Sequence, residues 1–187
     1  MKRGVKKYLT FVALLAVLVF WIIILSKFAP SEIIVKLGVR NTYIILFLIA
    51  AIGGSSLITS SSYYIVIPIL AVAGLNPLLL GLFGGVGLTI GDSIYFYLGS
   101  KGKEASPEKF DRKLERIHKF IEGRPKWFTT TFIYVYAGFT PLPNDVMTFF
   151  LGLSGYSYKK MILPLVIGNM TGSMILAYLG IFGINFF

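Results

Sequence analysis

Residues 74–99 and 155–180 are two copies of one apolar segment. Gly74/Gly155, Leu82/Leu163, Gly87/Gly168, Gly91/Gly172, Ile94/Ile175 and Tyr97-Leu98-Gly99 against Tyr178-Leu179-Gly180 align without a gap, giving 8 identities in 26 positions. A duplicated segment constrains a fold strongly, because whatever unit contains one copy must also be buildable around the other. Apolar copies of this length narrow the choice further, since internal repeats of membrane helices are what transporter folds are built from.

With 56% hydrophobic residues, 14% charged residues and a mean hydropathy of +0.78, the chain is an integral membrane protein and not a water-soluble globule. The run 8–28 carries no charge before Lys27 and is long enough to cross a hydrocarbon core of about 30 Å. Lys2, Arg3, Lys6 and Lys7 precede it, and Lys27 lies two residues before Ala29, where a small-x-small cleavage site would fall; it reads as an uncleaved N-terminal transmembrane anchor. The chain has no cysteine, which excludes disulfides, iron–sulfur clusters and thiol catalysis. His118 is the one histidine and cannot build a metal site alone, so no metal or other cofactor is expected. The formal charge of +10 sits in short loops between apolar blocks, the pattern of membrane orientation and not of nucleic acid binding.

The apolar blocks are 8–28, 41–75, 77–99, 127–157 and 160–187. Block 41–75 is interrupted by Gly53-Gly54-Ser55-Ser56 and Thr59-Ser60-Ser61-Ser62, and block 127–157 by Thr140-Pro141-Leu142-Pro143-Asn144-Asp145. At 35 and 31 residues each is too long for one crossing and short for two, so both are expected to be re-entrant hairpins. The loop 100–126 holds nine Lys and Arg against five acids and belongs inside, as do the N-terminal cluster and Lys159-Lys160. Helix 8–28 then runs out, 77–99 in and 160–187 out, with the N-terminus cytoplasmic and the C-terminus outside the cell membrane. The expected fold is therefore an all-α integral membrane protein: an inverted repeat of re-entrant helical hairpin plus transmembrane helix, preceded by an N-terminal transmembrane helix. It divides into an anchor and outer loop (1–40), repeat 1 (41–99), a cytoplasmic loop (100–126) and repeat 2 (127–187). Inside that loop, Ser106 and Pro107 open an amphipathic helix with Phe110, Leu114, Ile117 and Ile121 on one stripe, which Gly123 and Pro125 end at about 122; it should lie on the headgroups.

Asp92 and Asp145 are the acids inside the expected membrane segments, and a carboxylate at that depth costs about 2.5 kcal/mol or more. With no Lys or Arg beside them, proton or sodium coupling is one reading, with Asn144 beside Asp145; hydrogen bonding to freed amides at a hairpin turn is the other. Ser55, Ser56, Thr59, Ser60, Ser61 and Ser62 in the first tip, and Thr140, Pro141 and Pro143 in the second, offer hydroxyls and open backbone for a substrate path, or merely satisfy bent helices. Gly87/Gly91 and Gly168/Gly172 are expected to let the two crossing helices pack closely on each other.

Gly91-Asp92-Ser93-Ile94-Tyr95-Phe96-Tyr97-Leu98-Gly99 with Lys101-Gly102, then Pro141-Leu142-Pro143-Asn144-Asp145, Gly152-Leu153-Ser154-Gly155 and Gly168-Asn169 with Gly172, resemble in order the DedA/VTT-domain family, also called SNARE-associated Golgi proteins. The resemblance covers about 41–185. It implies two opposed re-entrant hairpins and movement of lipids, phospholipid or polyprenyl-phosphate, between leaflets by a flippase or scramblase. Two features depart from the family. Ser60-Ser61-Ser62-Tyr63 stands where many members have an acid after Pro-Gly, and Gly138 and Asn144 stand where many have arginines. Loss of those bidentate donors disfavours a tightly held phosphate. The expected function is thus a non-enzymatic lipid translocase whose partners are membrane lipids and a proton or sodium ion. The alternatives are an ion-coupled carrier of a small solute and a non-transport membrane-assembly protein.

Overall fold

A computed structural model describes residues 30–53, 60–104, 123–140 and 142–184. The expected anchor 8–28, the tip residues 54–59 with Ser55, Ser56 and Thr59, the loop helix 106–122 and Pro141 lie outside the described residues. For Ser60, Ser61 and Ser62 the helical backbone alone is described. The helices are α1 (Pro30–Gly53), α2 (Ser60–Val72), α3 (Pro77–Glu104), α4 (Lys126–Phe139), α5 (Asn144–Ser154) and α6 (Tyr158–Ile184), with no strand among the described residues.

The chain divides between Thr42 and Tyr43 into two units. In the first, the stretch expected as outer loop is helical from Pro30. Proline at the first helical position forfeits no hydrogen bond, and no further Pro or Gly interrupts before Gly38. Gly38 breaks the helix at φ 77°, ψ 158°, and Thr42 Oγ1 donates to its carbonyl at 3.0 Å.

In the second unit, α3 and α6 have 28 and 27 residues and are about 40 Å long at 1.5 Å per residue, more than a bilayer core requires. Pro77–Gly102 and Tyr158–Gly183 are also apolar enough to cross. The helices α2, α4 and α5, with 13, 14 and 11 residues, reach only about 16–21 Å. Ile65, Ile94, Leu163 and Leu179 are each more than half exposed on the outer faces, whereas Asp92, Asn169 and Ser173 are buried between the helices. Apolar outside and polar inside is the distribution a hydrocarbon solvent selects.

The two copies share their turns bond for bond. After α2, Gly74 adopts φ 95°, its N–H donates to the Ala71 carbonyl and the Leu75 N–H to the Leu70 carbonyl, both at 3.1 Å. After α5, Gly155 adopts φ 81°, with Gly155 bonded to Gly152 and Tyr156 to Leu151, both at 3.0 Å. Each is a Schellman ending, which places a left-handed residue just beyond the helix and so favours glycine. The next helix then starts identically, with Leu80 N–H donating to the Asn76 carbonyl and Met161 N–H to the Ser157 carbonyl.

Contacts between copies are exchanged in the same way. The short helix α2 packs on α6, and α5 packs on α3. Gly99 lies against the Phe149 carbonyl and Gly180 against Pro68, positions that correspond at the 81-residue offset from Gly74 to Gly155. The long helices run antiparallel, since Gly81 meets Met174, Gly85 meets Met170 and Ser93 meets Tyr158.

Gly87 and Gly168 mark a correction. They were expected where α3 crosses α6, but Gly87 nests on α1 against the Phe47 carbonyl, Ala50 Cβ and Ala51 N. Gly168 nests on α4 against the Tyr134 carbonyl, Ala137 Cβ and Gly138 N. Gly172 also rests on α4, at the carbonyls of Ala137 and Gly138, and the α3–α6 crossing is made by Gly81 and Gly85. The physical reason is that α1 and α4, and not the partner long helix, are the nearest neighbours of these glycines. Three matching atoms per glycine also show that α1 and α4 correspond at an offset of 87 residues, against 81 for α2 and α5, so the sequence joining α1 to α2 is six residues longer than that joining α4 to α5.

Candidate functional site

The polar layer between the copies can be built from one fixed acceptor. The Gly85 carbonyl accepts from Thr89 Oγ1 at 2.8 Å, so that hydroxyl has spent its proton and must itself accept. Asn169 Nδ2 supplies this bond at 3.1 Å and donates its other proton to Asp92 Oδ2 at 2.8 Å. The orientation of the Asn169 amide follows, and its Oδ1 accepts from Asn144 Nδ2 at 2.7 Å. Three elements are thereby tied through one side chain, α3 by Thr89 and Asp92, α5 by Asn144 and α6 by Asn169, and α2 is joined through Ser173 to the Asn169 main chain. Ser173 Oγ donates to the Asn169 carbonyl at 2.7 Å and so accepts from the Tyr63 hydroxyl at 2.6 Å.

The layer respects the duplication. Tyr63 and Asn144 are equivalent positions, as are Asp92 and Ser173; Tyr63 bonds across to Ser173 on the other copy's long helix, whereas Asn144 bonds to Asn169 on the long helix of its own copy. All are buried: Asp92 is 0% exposed, Asn169 1% and Asn144 7%. Two atoms of the layer, Asp92 Oδ1 and Asn144 Oδ1, have no hydrogen-bond partner. Buried acceptors left open cost about 1–3 kcal/mol each, which marks the layer as a place where structure yields to something else.

The remaining expected residues are placed as follows. Asp145 is buried but turned into its own helix, where Oδ1 accepts from the Val146 N–H at 2.8 Å in the first turn of α5. An acid there complements the positive end of the helix. Pro143 precedes α5, and its carbonyl accepts from the Tyr136 hydroxyl at 3.4 Å. Thr140 ends α4 with Oγ1 donating to the Tyr136 carbonyl at 2.7 Å. Gly91 is buried in α3 one residue before Asp92. Asp92 and Asn144 are thus brought together through Asn169, while Asp145 stays apart from that chain of bonds.

Beside the layer lies a cavity of about 440 Å³, floored by Asn144, Asn169 and Ser173, walled by Tyr64 and Leu176, with Thr140 at the second tip. Phe139 and Leu179, both more than half exposed, also line it, so it reaches the lipid-facing surface.

The family model of the VTT domain matches residues 60–182, which covers α2 through most of α6 and well over half of the chain. The chain belongs to the VTT-domain family. No curated protein and no solved structure matches it. The matched stretch of this VTT-domain protein contains Tyr63, Thr89, Asp92, Asn144, Asn169 and Ser173, hence the whole layer. Thr89 and Ser173 were not singled out from the sequence, Tyr63 only within the Ser60–Tyr63 departure and Asn169 only as part of the family pattern. The signal that finds Tyr63 and Ser173 is that each pairs at the 81-residue offset with a polar residue already noted, Asn144 and Asp92; Thr89 and Asn169 correspond to Met170 and Leu88 and carry no such signal.

Proposed function

We propose that this VTT-domain protein is a membrane lipid translocase, a flippase or scramblase, in which the headgroup passes along the polar layer while the acyl chains stay in the bilayer. The observation that carries it is a polar floor at the centre of the spanning helices, opening to the lipid-facing surface through an apolar-walled cavity. Water-soluble solutes need a path shielded from lipid, whereas Phe139 and Leu179 offer acyl chains a continuous apolar margin. The family match supports the reading at the level of a membrane protein linked to lipids.

In the same proposal the two copies form an inverted repeat. Antiparallel long helices, exchanged short helices and short-helix lengths of about half a bilayer support re-entrant hairpins entering from opposite sides. Asp92, with one carboxylate oxygen open, is the candidate for proton or sodium coupling, and Asp145 serves the tip of the second hairpin. The activity needs no covalent chemistry and no nucleic acid.

The test is a proteoliposome with headgroup-labelled phospholipid and a membrane-impermeant quencher, with and without a proton or sodium gradient. Quenching beyond one half in either condition supports the proposal. A halt at one half in both, for phospholipid and polyprenyl-phosphate alike, refutes it and favours a solute carrier. Asp92→Asn should abolish any gradient dependence; an unchanged response would remove Asp92 from coupling.

A further inference from the structure

Asp92 Oδ1 and Asn144 Oδ1 are the buried side-chain atoms left without a partner among the described residues. Both are acceptors, and both belong to residues bonded to the one Asn169 amide, Asp92 at its Nδ2 and Asn144 at its Oδ1. The duplication indicates how the two residues stand to each other. Asn144 is equivalent to Tyr63 and Asp92 to Ser173, and α5 packs on α3 as α2 packs on α6, with Gly99 on Phe149 matching Gly180 on Pro68. Tyr63 and Ser173 are bonded directly at 2.6 Å, the tyrosine supplying the proton because the serine gives its own to Asn169. The equivalent pair has no such proton. Asn144 must turn its Nδ2 to Asn169, whose own two protons go to Thr89 and Asp92, so the oxygen Asn144 keeps is an acceptor, as is that of the carboxylate. No cation faces Asp92 among the described residues. The titratable groups around it are Asp145 on α5 and Tyr63 and Tyr64 on α2; α6 gives it Asn169, with Tyr158 bonded to the adjacent Ser93, and α1 packs on α3 through Phe47, Ala50 and Ala51. Tyr136 on α4 lies within reach of Asp145.

We infer that the polar layer binds one proton, carried on Asp92 Oδ1 and donated to Asn144 Oδ1, and that a proton and not sodium is the ion this site takes. Uptake from water forms one O–H bond on the carboxyl, cancels the buried charge and satisfies both open acceptors with a single hydrogen bond. Release to water restores the charge and opens both again. A hard metal cation takes about six oxygen ligands, where two stand open, and no group of three His, Cys, Asp or Glu is found among the described residues. The inference deepens the translocase reading by naming its coupling ion, and rests on that reading only for the use made of the proton.

The experiment is infrared spectroscopy of the full-length protein in lipid at neutral pH, read at the C=O stretch of a protonated carboxyl, which moves on exchange into heavy water. Wild type should show such a band, which Asp92→Asn removes and Asp145→Asn leaves in place. Asn144→Leu should move it to higher frequency, since the carboxyl loses its acceptor; a merely structural role for Asn144 would not shift it. Replacing potassium chloride by sodium chloride should leave the band unchanged. Asp92→Asn puts an N–H where the proton stands, so its thermal unfolding in detergent should not vary with pH through this site. Wild type, which binds one more proton folded than unfolded, should lose stability as pH rises, by up to about tenfold in the folding constant per pH unit. Absence of a band that Asp92→Asn removes, suppression of the band by sodium, or a band unmoved by Asn144→Leu overturns the inference. If the leucine variant does not fold, equal pH slopes for wild type and Asp92→Asn overturn it instead. The band without lipid movement in proteoliposomes would refute the translocase and leave the proton site standing; sodium-driven movement without the band would do the reverse.

Discussion

Asn169 holds three side-chain partners at once, so its removal is more than the loss of one bond. Asn169→Leu strands Asp92, Thr89 and Asn144 in a dry interior, and a cost of about 3–5 kcal/mol is expected, against about 1 kcal/mol for Thr89→Val, which removes one acceptor. Thermal unfolding of the two variants in the same detergent checks the order; equal losses would mean that the layer is not wired through Asn169. Asp92 and Asn144 were legible in the sequence because an acid or amide in an apolar block stands out. Their connection was not, because the link between them is a third side chain 25 residues from one and 77 from the other, brought in by the crossing of α3 and α6. Asp145 stood out for the same reason as Asp92 but serves a local need, the first turn of α5, which sequence position alone does not distinguish from a site in the cavity.

The glycines divide into two kinds at the level of helices and turns, and they predict different costs. Gly152 and Gly99 face the backbone carbonyls of Phe96 and Phe149, where no side chain can yield, so Gly152→Ala should cost about 2–3 kcal/mol and loosen α5 from α3. Gly74 and Gly155 are needed for their positive φ. Gly74→Ala, with open space around it, should cost only about 1–2 kcal/mol of backbone strain. Gly183→Ala, which meets nothing, should be neutral and serves as the control in the same unfolding series. The duplicated turns were readable from the Gly74/Gly155 alignment, since a Schellman ending selects glycine by conformation. The match of α1 to α4 was not. Phe47, Ala50 and Ala51 correspond to Tyr134, Ala137 and Gly138 at a different offset, and a packed helix selects only for size and polarity, so little identity remains once a connection of different length shifts the register.

Taken whole, the described part of the molecule from Tyr43 onward is two copies of helix, glycine turn and long helix, set antiparallel and holding a shared polar layer. Its helical membrane character was plain from composition and from two helices long and apolar enough to span, because a hydrocarbon solvent leaves few other solutions. Which side each copy enters from is carried by loop charges and not by contacts within the fold, and here the lack of cysteine is an advantage, since single cysteines report without background. The deciding measurement is labelling of Ala73→Cys and Ser157→Cys, exposed positions at the two turns, with a membrane-impermeant maleimide on intact cells and after permeabilisation. The inverted arrangement predicts that Cys at position 73 is labelled on intact cells and Cys at 157 only after permeabilisation; labelling of both from the same side would contradict it.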